Sequence, residues 1–155
     1  MSDGGERVFE TAEGDGPQEV FTGAGRAARV RTAYEGLLQI RRLTGGVDVP
    51  AAWELRLTPR AVALVLEAAG FAPSAVDARG VRGRTGYRVV PGARGAAGVE
   101  VTWTGPPGSG AAGEERERLT ACAAELERHG WECLLYRGPR GRRFLEVEAP
   151  RPAAG

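Results

Sequence analysis

Lysine is absent from this chain of 155 residues, so all 21 basic residues are arginine. A phosphate-cradling loop of the G-K-[ST] kind is thereby excluded. Every cation is a planar guanidinium with five donors, suited to phosphate and carboxylate. Histidine occurs once, as His129, so any Ser–His–Asp or Cys–His relay would have to pass through it. The three serines, Ser2, Ser74 and Ser109, all fall in stretches of loop composition. The two cysteines, Cys122 and Cys133, are too few for a disulfide framework. With His129 they make only three soft ligands, without the C-x-x-C spacing of a structural zinc site. The expectation is therefore inert, buried thiols, with no metal and no cofactor. No stretch reaches the roughly 18 apolar residues of a membrane span, and no basic flank with an apolar run opens the chain. It reads as a cytoplasmic protein with reduced thiols.

What is present in excess is glycine and proline, 24 and 10 residues. That load, with an apolar fraction rich in alanine, predicts one domain with a modest core and some unstructured chain. The net charge of +1 hides an asymmetry. Residues 1–20 hold Asp3, Glu6, Glu10, Glu13, Asp15 and Glu19 against Arg7 alone, and the remainder is basic. Such an acidic leader either solubilises the chain or covers a basic surface.

Two stretches end a helical pattern in the same way: 61–71, closing on Ala69-Gly70-Phe71, and 119–131, closing on His129-Gly130-Trp131. Glycine after the last helical residue supplies the left-handed turn, and the next apolar residue folds back on Leu66 or Leu126. Thr58-Pro59 reads as the start of the first of these helices, with Thr58 as the cap. Glu114–His129 reads as the second, burying Leu119, Cys122, Ala123 and Leu126. An earlier helix is expected from about Ala24 to Leu43 on Val30, Tyr34, Leu37 and Leu38, with Arg26, Arg29, Arg41 and Arg42 off that face. Val49-Pro50 starts a short helical turn through Trp53. Strands are expected at Gly86–Val90, Val99–Thr104, Trp131–Arg137 and Arg143–Glu148, the second and fourth alternating apolar and polar residues. Trp53, Trp103 and Trp131 are assigned to the core. Residues 105–113 read as a linker.

A helix–strand–strand unit used twice gives an α+β fold, a two-layer αββαββ sandwich with an additional N-terminal helix. A winged-helix-like domain is the alternative, since a helix followed by a basic hairpin also describes it. The expected organisation is a disordered acidic tail over 1–22, one domain over 23–149 and a loose tail over 150–155.

Candidate binding residues come from arginine clusters. Arg137, Arg140, Arg142 and Arg143 surround Gly138-Pro139 at a hairpin tip, where splayed guanidiniums grip phosphates without reading sequence. Arg82 and Arg84, with Arg79 and Arg88 nearby, occupy the matching place in the first unit, and Tyr87 adds a ring that stacks on a base. Glu132, Glu146 and Glu148 on adjoining strands are expected to neutralise part of this charge, and the bland reading is a solvated loop. Gly108–Gly113 matches G-x-G-x-x-G, but Glu114, Glu115 and Glu117 follow where a phosphate needs a positive helix start. Glu146 and Glu148 are the paired acids nearest to acid–base chemistry, and read as solvated. Leu37, Leu38 and Ile40 together exceed what one helix face buries and point to a partner helix or a dimer.

The segments Ala61–Gly70 and Leu135–Val147 resemble small hypothetical proteins of streptomycete-type actinobacteria. The resemblance spans most of residues 26–149 and implies a bacterial cytoplasmic origin, with no activity attached to the group. The expectation is a non-enzymatic regulatory or accessory protein contacting nucleic acid through its Arg-rich hairpins. The alternatives are a protein–protein adaptor or dimerisation module, and a nucleotide-binding domain around Gly108–Gly113.

Overall fold

The computed structural model describes residues 9–92 and 98–150, all with side chains except Phe21. Residues 1–8 of the expected acidic tail and 151–155 of the expected C-terminal tail lie outside the described residues. The elements run α1 (Glu19–Thr22), α2 (Arg26–Leu43), α3 (Ala52–Arg56), α4 (Thr58–Ala68), β1 (Ala75–Val76), β2 (Arg82–Arg84), β3 (Gly86–Pro91), β4 (Val99–Thr104), α5 (Ala111–Arg128), β5 (Glu132–Arg137) and β6 (Arg143–Glu148). The four long strands form an antiparallel sheet in the order β3-β4-β6-β5, so the inner strands of the two helix–strand–strand units meet at its centre. This is the αββαββ sandwich rather than the winged-helix alternative. The short β1–β2 ribbon, outside the strands expected from sequence, forms a second small sheet.

The repeated helix ending is realised in full. After α4, Gly70 donates to Glu67 and Phe71 to Leu66; after α5, Gly130 donates to Glu127 and Trp131 to Leu126. Gly70 and Gly130 take φ of +101° and +85°, where an L side chain is strained. Helix α5 starts three residues earlier than the sequence suggests, inside the expected linker, where left-handed Gly110 turns the chain into the helix and the Ser109 hydroxyl accepts from the Ala111 N–H. Thr58 is the first residue of α4 rather than its cap. Its hydroxyl donates back to the carbonyls of Glu54 and Leu55 and stitches α3 to α4.

One face of the sheet carries the core. Tyr87, Val89, Val99, Val101, Trp103, Leu145 and Val147 point to α4 and α5 and are buried, as period-two alternation requires. Six consecutive residues of α4, Ala61 to Leu66, are buried, so this helix is covered all round. α2 packs against it, with Val30 and Leu37 in the core cluster. Arg26 and Arg41, read from sequence as off the apolar face, extend that same stripe and are buried. Arg41 forms a two-pronged pair with Glu54, at 2.8 and 2.6 Å, with both side chains wholly inaccessible. It also donates to the carbonyls of Val47 and His129, so α2, α3 and the end of α5 converge on one guanidinium. Leu38 is half-buried, and Ile40 remains exposed.

Candidate functional site

Because the strands are antiparallel, the start of β3, the end of β4, the end of β5 and the start of β6 share one end of the sheet. The hairpin-tip cluster joins β5 to β6 at that end, and the first cluster lies beside β3, with Arg82 and Arg84 on the separate β1–β2 ribbon. Their side chains, however, are differently engaged. At the hairpin tip the backbone closes through Gly138 N–H to Arg142 O and Gly141 N–H to Gly138 O, which projects Arg137 and Arg140 into solvent. Arg142 Nε instead donates to Glu115 Oε2 at 2.6 Å and its Nη2 to the Trp103 carbonyl at 2.9 Å. Arg143 gives its backbone N–H to Glu115 Oε1 at 2.9 Å and holds its guanidinium 3.6 Å from the same oxygen. Glu115 is 2% exposed, yet Arg142 keeps half of its side chain in solvent. Neutralisation thus comes from α5 and not, as expected, from Glu132, Glu146 and Glu148. Those glutamates stand on the opposite face of the sheet, where Glu146 lies directly across from Glu100.

The first cluster is occupied by the chain's own N-terminal segment. Residues 9–22, expected as part of a disordered tail, are packed on the domain. Phe9 sits under the Arg26 guanidinium at 4.7 Å, and Arg26 donates to the Glu10 carbonyl. Tyr87 Oη donates to the Ala12 carbonyl and Val89 N–H to that of Glu13. Gly14 lies flat on Arg88, where a Cβ would collide with the Arg88 backbone. Arg82 donates to the Gly14 carbonyl, to Ser74 Oγ and to Asp15, and Arg88 chelates both Asp15 oxygens. Burial pushes the Asp15 carboxyl up, but the bonds and charges of Arg82 and Arg88 outweigh it and hold the group below its ordinary value. The acidic leader is therefore, at Asp15, a cover over basic side chains, and it lines the outer edge of β3. Tyr87 does not offer a stacking ring: it is wholly buried, and its hydroxyl also reaches the Ala63 carbonyl. Burial raises its pKa well above the ordinary phenol value. Arg84 is half-exposed and Arg79 exposed.

The remaining candidates carry little chemistry. Gly108 and Gly110 adopt left-handed φ at the start of α5, but Glu114 accepts from Trp103 Nε1 there and Glu115 is committed to arginine. Cys122 is buried and Cys133 half-buried; burial, with the neighbouring Cys133 for the one and Glu127 for the other, pushes both thiols up to about 12. A thiol at that value is overwhelmingly protonated at neutral pH and unreactive. His129 Nδ1 lies 2.8 Å from the Glu125 carbonyl, to which only an N–H can donate, and Nε2 lies 2.6 Å from Tyr34 Oη. The ring locks α5 to α2 at the helix end where the sequence placed it. Among the described residues no group of three or more His, Cys, Asp or Glu is arranged to hold a metal ion. No described helix is long and apolar enough to cross a membrane.

The strand expected at Trp131–Arg137 forms as β5, but its place at an exposed edge of the sheet was not anticipated. It terminates the sheet, and among the described residues no strand pairs with its outer side. Leu134, Leu135 and Tyr136 are exposed, at 59%, 41% and 42%. By register with β6, Leu134 and Tyr136 lie on the open face with Glu146 and Phe144, and Leu135 lies on the helix side with Leu145. Tyr136 stacks on Phe144 at 5.5 Å. The signal was available in Cys133-Leu134-Leu135-Tyr136, an apolar run without the alternation of β4 and β6. Glu115 was also missed, although 115, 119, 122 and 126 fall on one helical stripe. No protein-family model, curated protein or solved structure matches the chain.

Proposed function

We propose that this chain is a non-enzymatic binding module, regulatory or accessory in role, whose partner is a protein segment added as a strand to the outer edge of β5. The observation that carries this reading is the concentration of Leu134, Leu135 and Tyr136, all exposed, on the edge of the main sheet that no described strand pairs with. Soluble proteins blunt such edges with charge, proline or a covering segment unless the edge is used. The main-chain groups of an edge supply affinity, and apolar side chains on its two faces supply selectivity. A photo-reactive phenylalanine analogue in place of Tyr136, activated in cells, tests this. The expected adducts are protein, and they disappear when Leu135→Pro removes an outward N–H. Adducts to nucleic acid alone, or none, discard the reading.

A second reading is supported by the clustering of Arg84, Arg137, Arg140 and half-exposed Arg142 at one end of the sheet. There the module grips a phosphate backbone, with Arg82 and Tyr87 taking no part because they are engaged inside the fold. Binding to an RNA or DNA oligonucleotide would then fall steeply between low and moderate salt. Arg137→Ser with Arg140→Ser would reduce the salt slope by about 2. Weak binding that ignores both changes removes this reading.

A further inference from the structure

We propose that the occupant of the β5 edge is a second copy of this chain, paired antiparallel about a two-fold axis that passes through Leu135. The inference rests on the protein-binding reading of that edge. Its starting point is the phase of the main-chain bonds. Gly138 N–H donates to Arg142 O at 2.6 Å beyond the Arg137–Arg143 register pair. In an antiparallel ladder bonded and non-bonded pairs alternate, so Glu132, Leu134 and Tyr136 exchange bonds with β6. The N–H and C=O of Cys133, Leu135 and Arg137 therefore point away from the sheet, and among the described residues no hydrogen bond to them is made.

A two-fold axis perpendicular to the sheet keeps each face on its own side, so only residues of like parity can face each other across it. Centring that axis on Leu135 sets Leu135 against the partner's Leu135 on the helix side. It sets Leu134 against the partner's Tyr136, twice, on the open face. All three exposed apolar residues of the edge are covered by that one register. The same register sets Cys133 against the partner's Arg137, again twice. Glu127 of α5 and Cys133 share the wall of one surface depression, so the partner's Arg137 arrives beside an exposed carboxylate. Arg137 makes no ion pair within its own chain among the described residues. Shifting the axis to Leu134 sets Glu132 against the partner's Tyr136 and carries Arg137 off the end of the pairing. The edge is thus self-complementary in apolar contact and in charge at one register, which is what an isologous interface requires.

Sedimentation equilibrium on the full chain tests this, with every variant first shown to melt as the wild type does. The wild type is expected at twice its 16.3 kDa mass, dissociating on dilution. Arg137→Glu and Glu127→Arg are each expected to raise the dissociation constant about tenfold, and the doubly reversed chain to recover most of that loss. A wild type that stays monomeric up to about 1 mM overturns the proposal. So does a dimer indifferent to Leu135→Pro, or one that the charge exchange does not restore. A monomer that still gives protein adducts at position 136 leaves the edge as a binding site for another protein. A monomer without such adducts removes both readings.

Discussion

At the scale of the residue, Gly130 shows how tightly this fold depends on backbone that only glycine supplies. Its φ of +85° closes α5, and an added Cβ would strike the carbonyl oxygen of Asp48 in the loop after α2. Both penalties fall on Gly130→Ala. The expected loss is about 2–4 kcal/mol. For a chain of this size that is on the order of 10 °C in melting temperature. Gly70→Ala is the internal control: the same left-handed conformation meets nothing within contact distance, so its loss is confined to the strain of roughly 1 kcal/mol. Equal losses at the two glycines would show that the contact with Asp48 carries no weight.

At the scale of the element, the N-terminal strap is held by charge as well as by main-chain bonds, and pH separates the two. The folded Asp15 carboxyl lies below its ordinary value because Arg82 and Arg88 outweigh the effect of burial. A lowered folded pKa stabilises fully above the unfolded value, about 3.9. That contribution is lost as pH falls through the folded value. Strap docking is therefore flat with pH in the neutral range and weakens below about pH 4. Hydrogen exchange at the Val89 N–H, which donates to Glu13, reads this directly. Asp15→Asn should lower its protection at neutral pH, and the difference from wild type should vanish in acid. Protection that ignores the substitution would mean that Asp15 does not anchor the strap.

The elements also divide by how far they could be read in advance. β4, β6 and the two glycine-ended helices obey local rules, alternation and the left-handed cap, and those rules suffice. The strap does not: residues 9–16 have few apolar groups and no periodicity, and what holds them is a series of bonds that their carbonyls and Asp15 accept from side chains and backbone N–H groups far along the chain. The arginine clusters were visible as composition, but their engagement was not. Whether Arg82 faces solvent or Asp15, and whether Arg142 faces solvent or Glu115, depends on separations of 67 and 27 residues that no local pattern encodes. Tyr87 follows the same logic, since strand alternation assigns it to the core and the polar cluster around it drew it to the surface reading.

At the scale of the whole molecule, Arg41 is the point where the layers are tied. Its guanidinium meets Glu54 in α3, with both side chains inaccessible, and carbonyls after α2 and α5. Glu54→Ala strands a buried cation. The expected cost is about 3–5 kcal/mol, seen as a lower urea midpoint with an unchanged slope. A loss under about 1 kcal/mol would place the pair in solvent. The two edges of the main sheet stand in contrast to this sealed interior. One is lined by the chain's own first described residues, and along the other no strand pairs among the described residues. If the proposed pairing through β5 holds, each copy spends its one open border on the other, and association along the main sheet closes at two members instead of growing into a fibre.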